Sequence, residues 1–133
     1  EPNLRPELTF EAETAQLQGS GWQKMTLKNK AGEKVTADGA HSITWSVAPG
    51  VANVYALRFN YLNITPNPID ARIRITDQAG NVVRDDAIRF PVTPEKWRVL
   101  GTSTGSYINA GHYKVIISGD KLNGLAFESL VMQ

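Results

Sequence analysis

The sequence predicts an all-β protein, a two-sheet antiparallel sandwich of the jelly-roll type. Three observations point there. From Leu8 onward, short apolar stretches alternate with Gly, Pro, Asn and Asp turn signals, spaced by roughly 8–14 residues. Within those stretches apolar and polar residues alternate with a period of two, which turns one face of each segment to a core and the other away from it. No segment carries helical periodicity over about ten residues or more.

The elements follow in order. Residues 1–7 hold Pro2 and Pro6 without periodicity and read as a linker arm; residues 8–133 form the folded module. Candidate strands fall near 8–16, 22–28, 42–48, 53–62, 70–76, 82–91, 97–103, 111–118 and 125–132. Alternation is clearest where Tyr55, Leu57, Phe59 and Tyr61 interleave with Ala56, Arg58 and Asn60. It recurs in Arg72-Ile73-Arg74-Ile75, in Ile88-Arg89-Phe90 and in Tyr113-Lys114-Val115-Ile116-Ile117. Asp77-Gln78-Ala79-Gly80-Asn81 is a hairpin turn, and Ala110-Gly111, Gly119-Asp120 and Asn123-Gly124 are further turns. Thr65-Pro66-Asn67-Pro68 is a loop, because each proline restricts its predecessor as well as itself. Trp45 and Trp97 fall within strands and are expected in the core.

Composition narrows the function. The chain has 133 residues, 14 Lys+Arg against 13 Asp+Glu, and no cysteine. That length supports one core without disulfides or zinc. A net charge of +1 argues against a dedicated nucleic-acid binder, and no apolar run approaches the roughly 20 residues of a membrane span. Residue 1 is Glu and no leader is present, as in a mature chain or an excised module. There is no G-x-S-x-G, H-E-x-x-H or phosphate-cradling glycine loop, and His41 and His112 lie far apart at strand edges. Catalysis would need two carboxylates converging in space, and a small β-sandwich without a nucleophile is more often a binding module.

The sharpest local signal is Phe10-Glu11-Ala12-Glu13. On a strand Glu11 and Glu13 share a face, roughly 7 Å apart. Taken alone, the pair reads as solvated surface. With a third carboxylate it becomes a hard-oxygen cation site, and Glu128 supplies one if the last strand returns beside the first.

Five segments in order resemble carbohydrate-binding modules of families 6 and 35. Phe10-Glu11-Ala12-Glu13 is similar to their Y-E-A-E opening, and Asp38 to Val47 to their G-D-x-V-x-W/F strand. Val51 to Tyr61 is similar to A-G-x-Y-x-L-x-x-R-Y. Trp97 with Ile108 to Val115 resembles W…L-x-A-G-x-H-x-V, and Gly124 to Leu130 resembles G-x-x-x-D-x-L/I. The resemblance spans most of residues 8–133. It implies a galactose-binding-domain-like jelly roll with a structural calcium ion, Ca2+, held by Glu11, Glu13 and Glu128, the last being Glu where Asp is usual. It also implies an oligo- or polysaccharide ligand at the loop edge. There this sequence departs from the family pattern: Pro94 stands where a second aromatic precedes Trp97, and Ala126 where an Asn precedes the closing acid.

The remaining ligand-binding candidates are Trp22, after the Gly19-Ser20-Gly21 turn, and Lys121 and Asn123, before the last strand. Trp22 stacks on sugar if exposed and is a core residue if it packs inward; Lys121 and Asn123 are otherwise ordinary loop residues. Arg58, Arg72, Arg74 and Arg89 would form a basic face for uronate or sulfate if their strands were neighbours, unless Asp70, Asp77, Asp85 and Asp86 neutralise it. Asn63-Ile64-Thr65 fits an N-glycosylation acceptor.

The resulting expectation is a non-catalytic carbohydrate-binding module. It would be the C-terminal accessory domain of a secreted bacterial glycoside hydrolase, galactosidase-like or polysaccharide-degrading, acting in secreted, periplasmic or cell-surface settings. Its partners would be a glycan and an upstream catalytic domain in the same chain, with no nucleic acid and no membrane. The alternative is a structural, interdomain packing sandwich with a degenerate sugar site.

Overall fold

In the computed structural model the period-two segments form antiparallel strands. It describes residues 8–11, 15–18, 23–26, 33–36, 41–50, 52–93, 96–102, 106–120, 122 and 124–133. The strands are β1 (Leu8–Glu11), β2 (Gln16–Gln18), β3 (Gln23–Thr26), β4 (Glu33–Thr36), β5 (His41–Val47), β6 (Asn53–Tyr55) and β7 (Leu57–Asn63). They continue as β8 (Ile69–Asp77), β9 (Val82–Phe90), β10 (Arg98–Gly101), β11 (Ser106–Ile108), β12 (Tyr113–Gly119) and β13 (Leu125–Met132). One sheet runs β10-β7-β13-β4-β3, with β1 also paired to β13; the other runs β2-β5-β12-β8-β9; β6 and β11 make a separate ribbon. Among the described residues no helix is long and apolar enough to cross a membrane.

The alternation read from the sequence is the alternation observed. Tyr55, Leu57, Phe59, Tyr61, Ile73, Ile75, Phe90, Val115 and Ile117 are buried, while Arg72, Arg74 and Arg89 are exposed. Facing side chains of the two sheets interlock around an aromatic cluster. Trp45 lies 5.7 Å from Phe59 and, edge to face, 5.6 Å from Phe127, and Phe90 lies 5.5 Å from Phe127. Such pairs add about 0.5–1.5 kcal/mol each beyond area burial. The Tyr61 hydroxyl, whose pKa is raised by burial, donates to the Pro91 carbonyl at 2.8 Å.

Three expectations change. The strand expected over 8–16 is two strands in different sheets: β1 pairs with β13, and β2 with β5. The segment 53–62 likewise divides, because β6 leaves the sheet of β7 to pair with β11. Trp97 is half-buried and precedes β10 rather than lying in the core. The linker arm, residues 1–7, lies outside the described residues.

The last strand carries the decisive irregularity. Leu125, Phe127, Leu130 and Met132 all face the core, although strict alternation from Phe127 would turn Leu130 outward. The register shifts between them: Phe127 pairs with Tyr61 and Ser129 with Asn60, leaving Glu128 as the extra residue of a β-bulge. Glu128 and Ser129 therefore share the interval between two core residues, and the Asn60 amide donates to Ser129 Oγ at 2.8 Å.

Candidate functional site

The first and last strands meet as the carboxylate argument required. Leu8 pairs with Met132, Thr9 with Val131, Phe10 with Leu130 and Glu11 with Ser129. Phe10 and Leu130 point inward together, so Glu11 points outward beside the bulge that carries Glu128. Two of the three expected cation ligands are thus one register step apart on paired strands, Glu11 exposed and Glu128 half-buried. Glu13 lies outside the described residues, and among the described residues no group of three His, Cys, Asp or Glu is placed to hold a metal. Oxygen donors on adjoining strands suit a hard cation such as calcium.

The expected sugar-binding residues Trp22, Lys121 and Asn123 also lie outside the described residues. What surrounds Lys121 and Asn123 is described, and it is tightly built. Leu122 is fully buried, and its carbonyl accepts from Leu125 N at 3.0 Å. Gly124 has φ +86°, a conformation that favours glycine, and a β-carbon there would lie 2.4 Å from Thr65 Cγ2. The 63–68 loop therefore rests directly on Gly124, and Ile64 N donates to the Gly124 carbonyl at 3.0 Å.

That loop is organised by Asn63, which is fully buried. Its Nδ2 donates to the carbonyls of Asn67 (2.9 Å) and Phe90 (3.1 Å). Its Oδ1 accepts from Thr65 N (3.0 Å) and Thr65 Oγ1 (2.7 Å). Its main chain is bonded both ways to Thr93, itself buried. Both amide hydrogens are thus committed inside the protein. The sequence fits a glycosylation acceptor, but the folded chain offers no accessible nitrogen to a transferase.

The arginines do not form one row of four, and Arg72, Arg74 and Arg89, on β8 and β9, are paired with carboxylates. Arg58 stands on β7, in the other sheet from its three partners, and donates to Gln133 Oε1 at 2.7 Å. Arg72 donates twice to Asp85 Oδ1, at 3.0 and 2.9 Å, and Arg74 to Asp85 Oδ2 at 3.2 Å. Arg89 meets Asp70 at 2.7 Å. These exposed pairs sit across β8 and β9, where they charge the edge of a sheet that would otherwise invite further strands. Hydrogen bonds from Arg72 and Arg89 hold the carboxyls of Asp85 and Asp70 below the ordinary range.

A pocket of about 520 Å³ opens elsewhere, at the end of the second sheet nearest the β8–β9 hairpin. Lys114 of β12 is flanked in register by Ser46 of β5 and Thr76 of β8, and the three line its floor. Gln78, exposed His112, half-buried Tyr113 and the apolar Val47 and Ala48 line its wall, with Gly80 at the hairpin. Asp77 also lines it, but its carboxylate accepts from Asn81 N (2.8 Å) and Ala79 N (3.0 Å), and the Asn81 backbone bond chiefly holds its pKa low. The pocket therefore sets hydroxyl, amide and ammonium groups beside the apolar Val47 and Ala48 and the Tyr113 ring, a mixed lining of a size suited to a small ligand. Sequence reading missed it, because Ser46, Thr76 and Lys114 are distant in the chain and only strand order makes them neighbours. The one local cue is the ring of Tyr113 between His112 and Lys114.

Neither a family model nor a curated protein sequence matches this chain. Solved structures do. A family 35 carbohydrate-binding module from Clostridium thermocellum superposes with TM-score 0.78 at 21% identity, over 96% of this chain and 98% of that one. The isomalto-dextranase of Arthrobacter globiformis T6, complexed with panose, gives TM-score 0.80 at 17% identity, over 98% of this chain and 24% of the enzyme. A carbohydrate-binding module from Cellvibrio mixtus lichenase 5A, in complex with cellotriose, gives 0.68 at 19% identity, over 95% of each. At such identities the likeness is one of fold: this chain has the jelly-roll sandwich fold of carbohydrate-binding modules of families 35 and 6.

Proposed function

We propose that residues 8–133 are a non-catalytic carbohydrate-binding module, an accessory domain that delivers a secreted bacterial glycoside hydrolase to its polymer. The observation that carries this reading is the superposition of nearly the whole chain on isolated modules, one of them holding cellotriose, and on a segment of a glycoside-cleaving enzyme. Weak glycan binding would act by raising the effective concentration of the tethered catalytic domain. The pocket over Ser46, Thr76 and Lys114, with its mixed polar and apolar lining, is the surface that suits a hydroxylated ligand. A calcium ion at Glu11, Glu13 and Glu128 would act structurally, joining the first strand to the last.

One observation favours the alternative, a packing sandwich with a degenerate sugar site. Ala126, which stands where the related modules carry an Asn, is 2% exposed, so that position offers nothing to a ligand. Affinity electrophoresis separates the two readings, using a mixed-linkage glucan, polygalacturonate and a sulfated galactan, each with calcium and with chelator. Retardation by one polymer, weakened in His112→Ala or Lys114→Ala, establishes binding at the pocket. Migration unchanged by all three favours the packing role.

A further inference from the structure

One cation of the second sheet is placed differently from the arginines beside it. Arg72, Arg74 and Arg89 are each held by a carboxylate across β8 and β9. Lys114, on β12, makes no ion pair among the described residues. Its register neighbours are neutral hydroxyls, Ser46 on one side and Thr76 on the other, and all three line the pocket of about 520 Å³. Among the described residues, the only carboxylate lining that pocket is Asp77, and it is turned to its own hairpin. Its Oδ1 accepts from Ala79 N and Asn81 N, and its Oδ2 from Asn81 Nδ2 at 3.1 Å. The pocket opens at the ends of β5 and β8 and the start of β12. The length of β12, roughly 20 Å, therefore separates it from the 120–124 connection at the loop edge.

We propose that this pocket is an anion-selective saccharide site, in which Lys114 receives the carboxylate or sulfate group of an acidic sugar while Ser46 and Thr76 bond the oxygens beside it. This rests on the carbohydrate-binding reading and names the class of sugar. A hydrogen bond from an ammonium to an oxyanion is charge-assisted and roughly twice as strong as a neutral one. The ammonium is a point charge on a flexible stem, so it admits both carboxylate and sulfate without the fork geometry an arginine imposes. The two hydroxyls rotate to donate or accept, and so serve either the anion or a neighbouring sugar hydroxyl. Ala48 and the Tyr113 ring supply the apolar surface that a pyranose C–H face covers. A neutral sugar in the same place would take water from the ammonium and return no charge, and that cost is the source of the selectivity.

The test titrates the whole chain calorimetrically with trigalacturonate, its methyl ester, cellotriose and a sulfated galactan, and pairs binding with thermal melting. The wild type should bind trigalacturonate or the sulfated galactan at least about tenfold more tightly than the two uncharged probes, and the preferred one identifies the oxyanion. Added salt should weaken the acidic probe alone. Lys114→Gln should lose about tenfold in affinity for that probe yet melt at the wild-type temperature, since no ion pair among the described residues goes with it. Lys114→Arg, which keeps the charge, should retain most of the affinity. If the methyl ester or cellotriose binds as tightly as the acidic probes, or Lys114→Gln binds them as the wild type does, the inference is overturned while the carbohydrate reading stands. If the wild type binds none of the four, both fall.

Discussion

Glu11, the last residue of β1, lies opposite Ser129 of β13, so the chain's first strand is fastened along its last, beside the bulge that carries Glu128. A cation bridging the outward carboxylates would join segments more than one hundred residues apart. Calcium at about one hundred times its dissociation constant adds about 2.7 kcal/mol of stability. The wild type should therefore melt several degrees higher in calcium than in chelator, and Glu11→Gln or Glu128→Gln should melt alike in both. Equal wild-type melting under the two conditions, followed by calorimetry, would dismiss the metal.

The bulge makes a sharper structural prediction. Deleting Glu128 removes the extra residue, so plain alternation from Phe127 turns Ser129 outward and still directs Leu130 and Met132 into the core. The deletion variant should therefore unfold cooperatively and, like Glu128→Gln, keep the wild-type circular dichroism spectrum. A deletion variant that does not fold would show that the bulge itself is needed to seat β13.

Asn63 is expected to be indispensable for a different reason. Asn63→Ala takes the side-chain donor from the Phe90 carbonyl and the acceptor from the Thr65 amide, at about 1–3 kcal/mol for each group left buried, while the exposed Asn67 carbonyl keeps its bond from Thr65 Oγ1. Denaturant unfolding should show a loss of about 3 kcal/mol or more. Protein secreted from a eukaryotic host should carry no glycan at Asn63 in its folded fraction, as intact mass would report.

Acid sensitivity should come from surface carboxylates. Asp70, Asp77 and Asp85 are all held below their ordinary value, by Arg89, the Asn81 backbone and Arg72 respectively. A depressed carboxylate contributes stability that is present above its unfolded pKa and is lost as pH falls through the lower folded value. Melting temperature should therefore be level from neutrality to about pH 5 and decline below about pH 4. Asp77→Asn, which gives up the charge-assisted turn bonds, should show a shallower decline; parallel curves would assign the acid loss elsewhere.

The legible part of this protein was local. Leu57, Phe59, Ile73, Ile75, Val115 and Ile117 declare their face by position alone, since a period of two fixes which side chains share a surface. The 77–81 turn was equally readable, because Gly80 adopts φ 91° and Asp77 can cap its own hairpin. Single-strand patterns do not encode partners. The splitting of 8–16 between two sheets, the placing of Arg58 apart from Arg72 and Arg74, and the pairing of Arg72 with Asp85 depend on strand order, which is set by how both sheets bury their faces together.

The sequence by itself determined the fold class and most of the inward residues, because propensity and alternation act within a few residues. Only the tertiary structure decided that Glu11 meets the bulge at Glu128, that Asn63 is a buried hub, and that Ser46, Thr76 and Lys114 form one pocket floor. Those facts arise from contacts between strands distant in the chain, where packing of the common core chooses the register and local pattern has no vote.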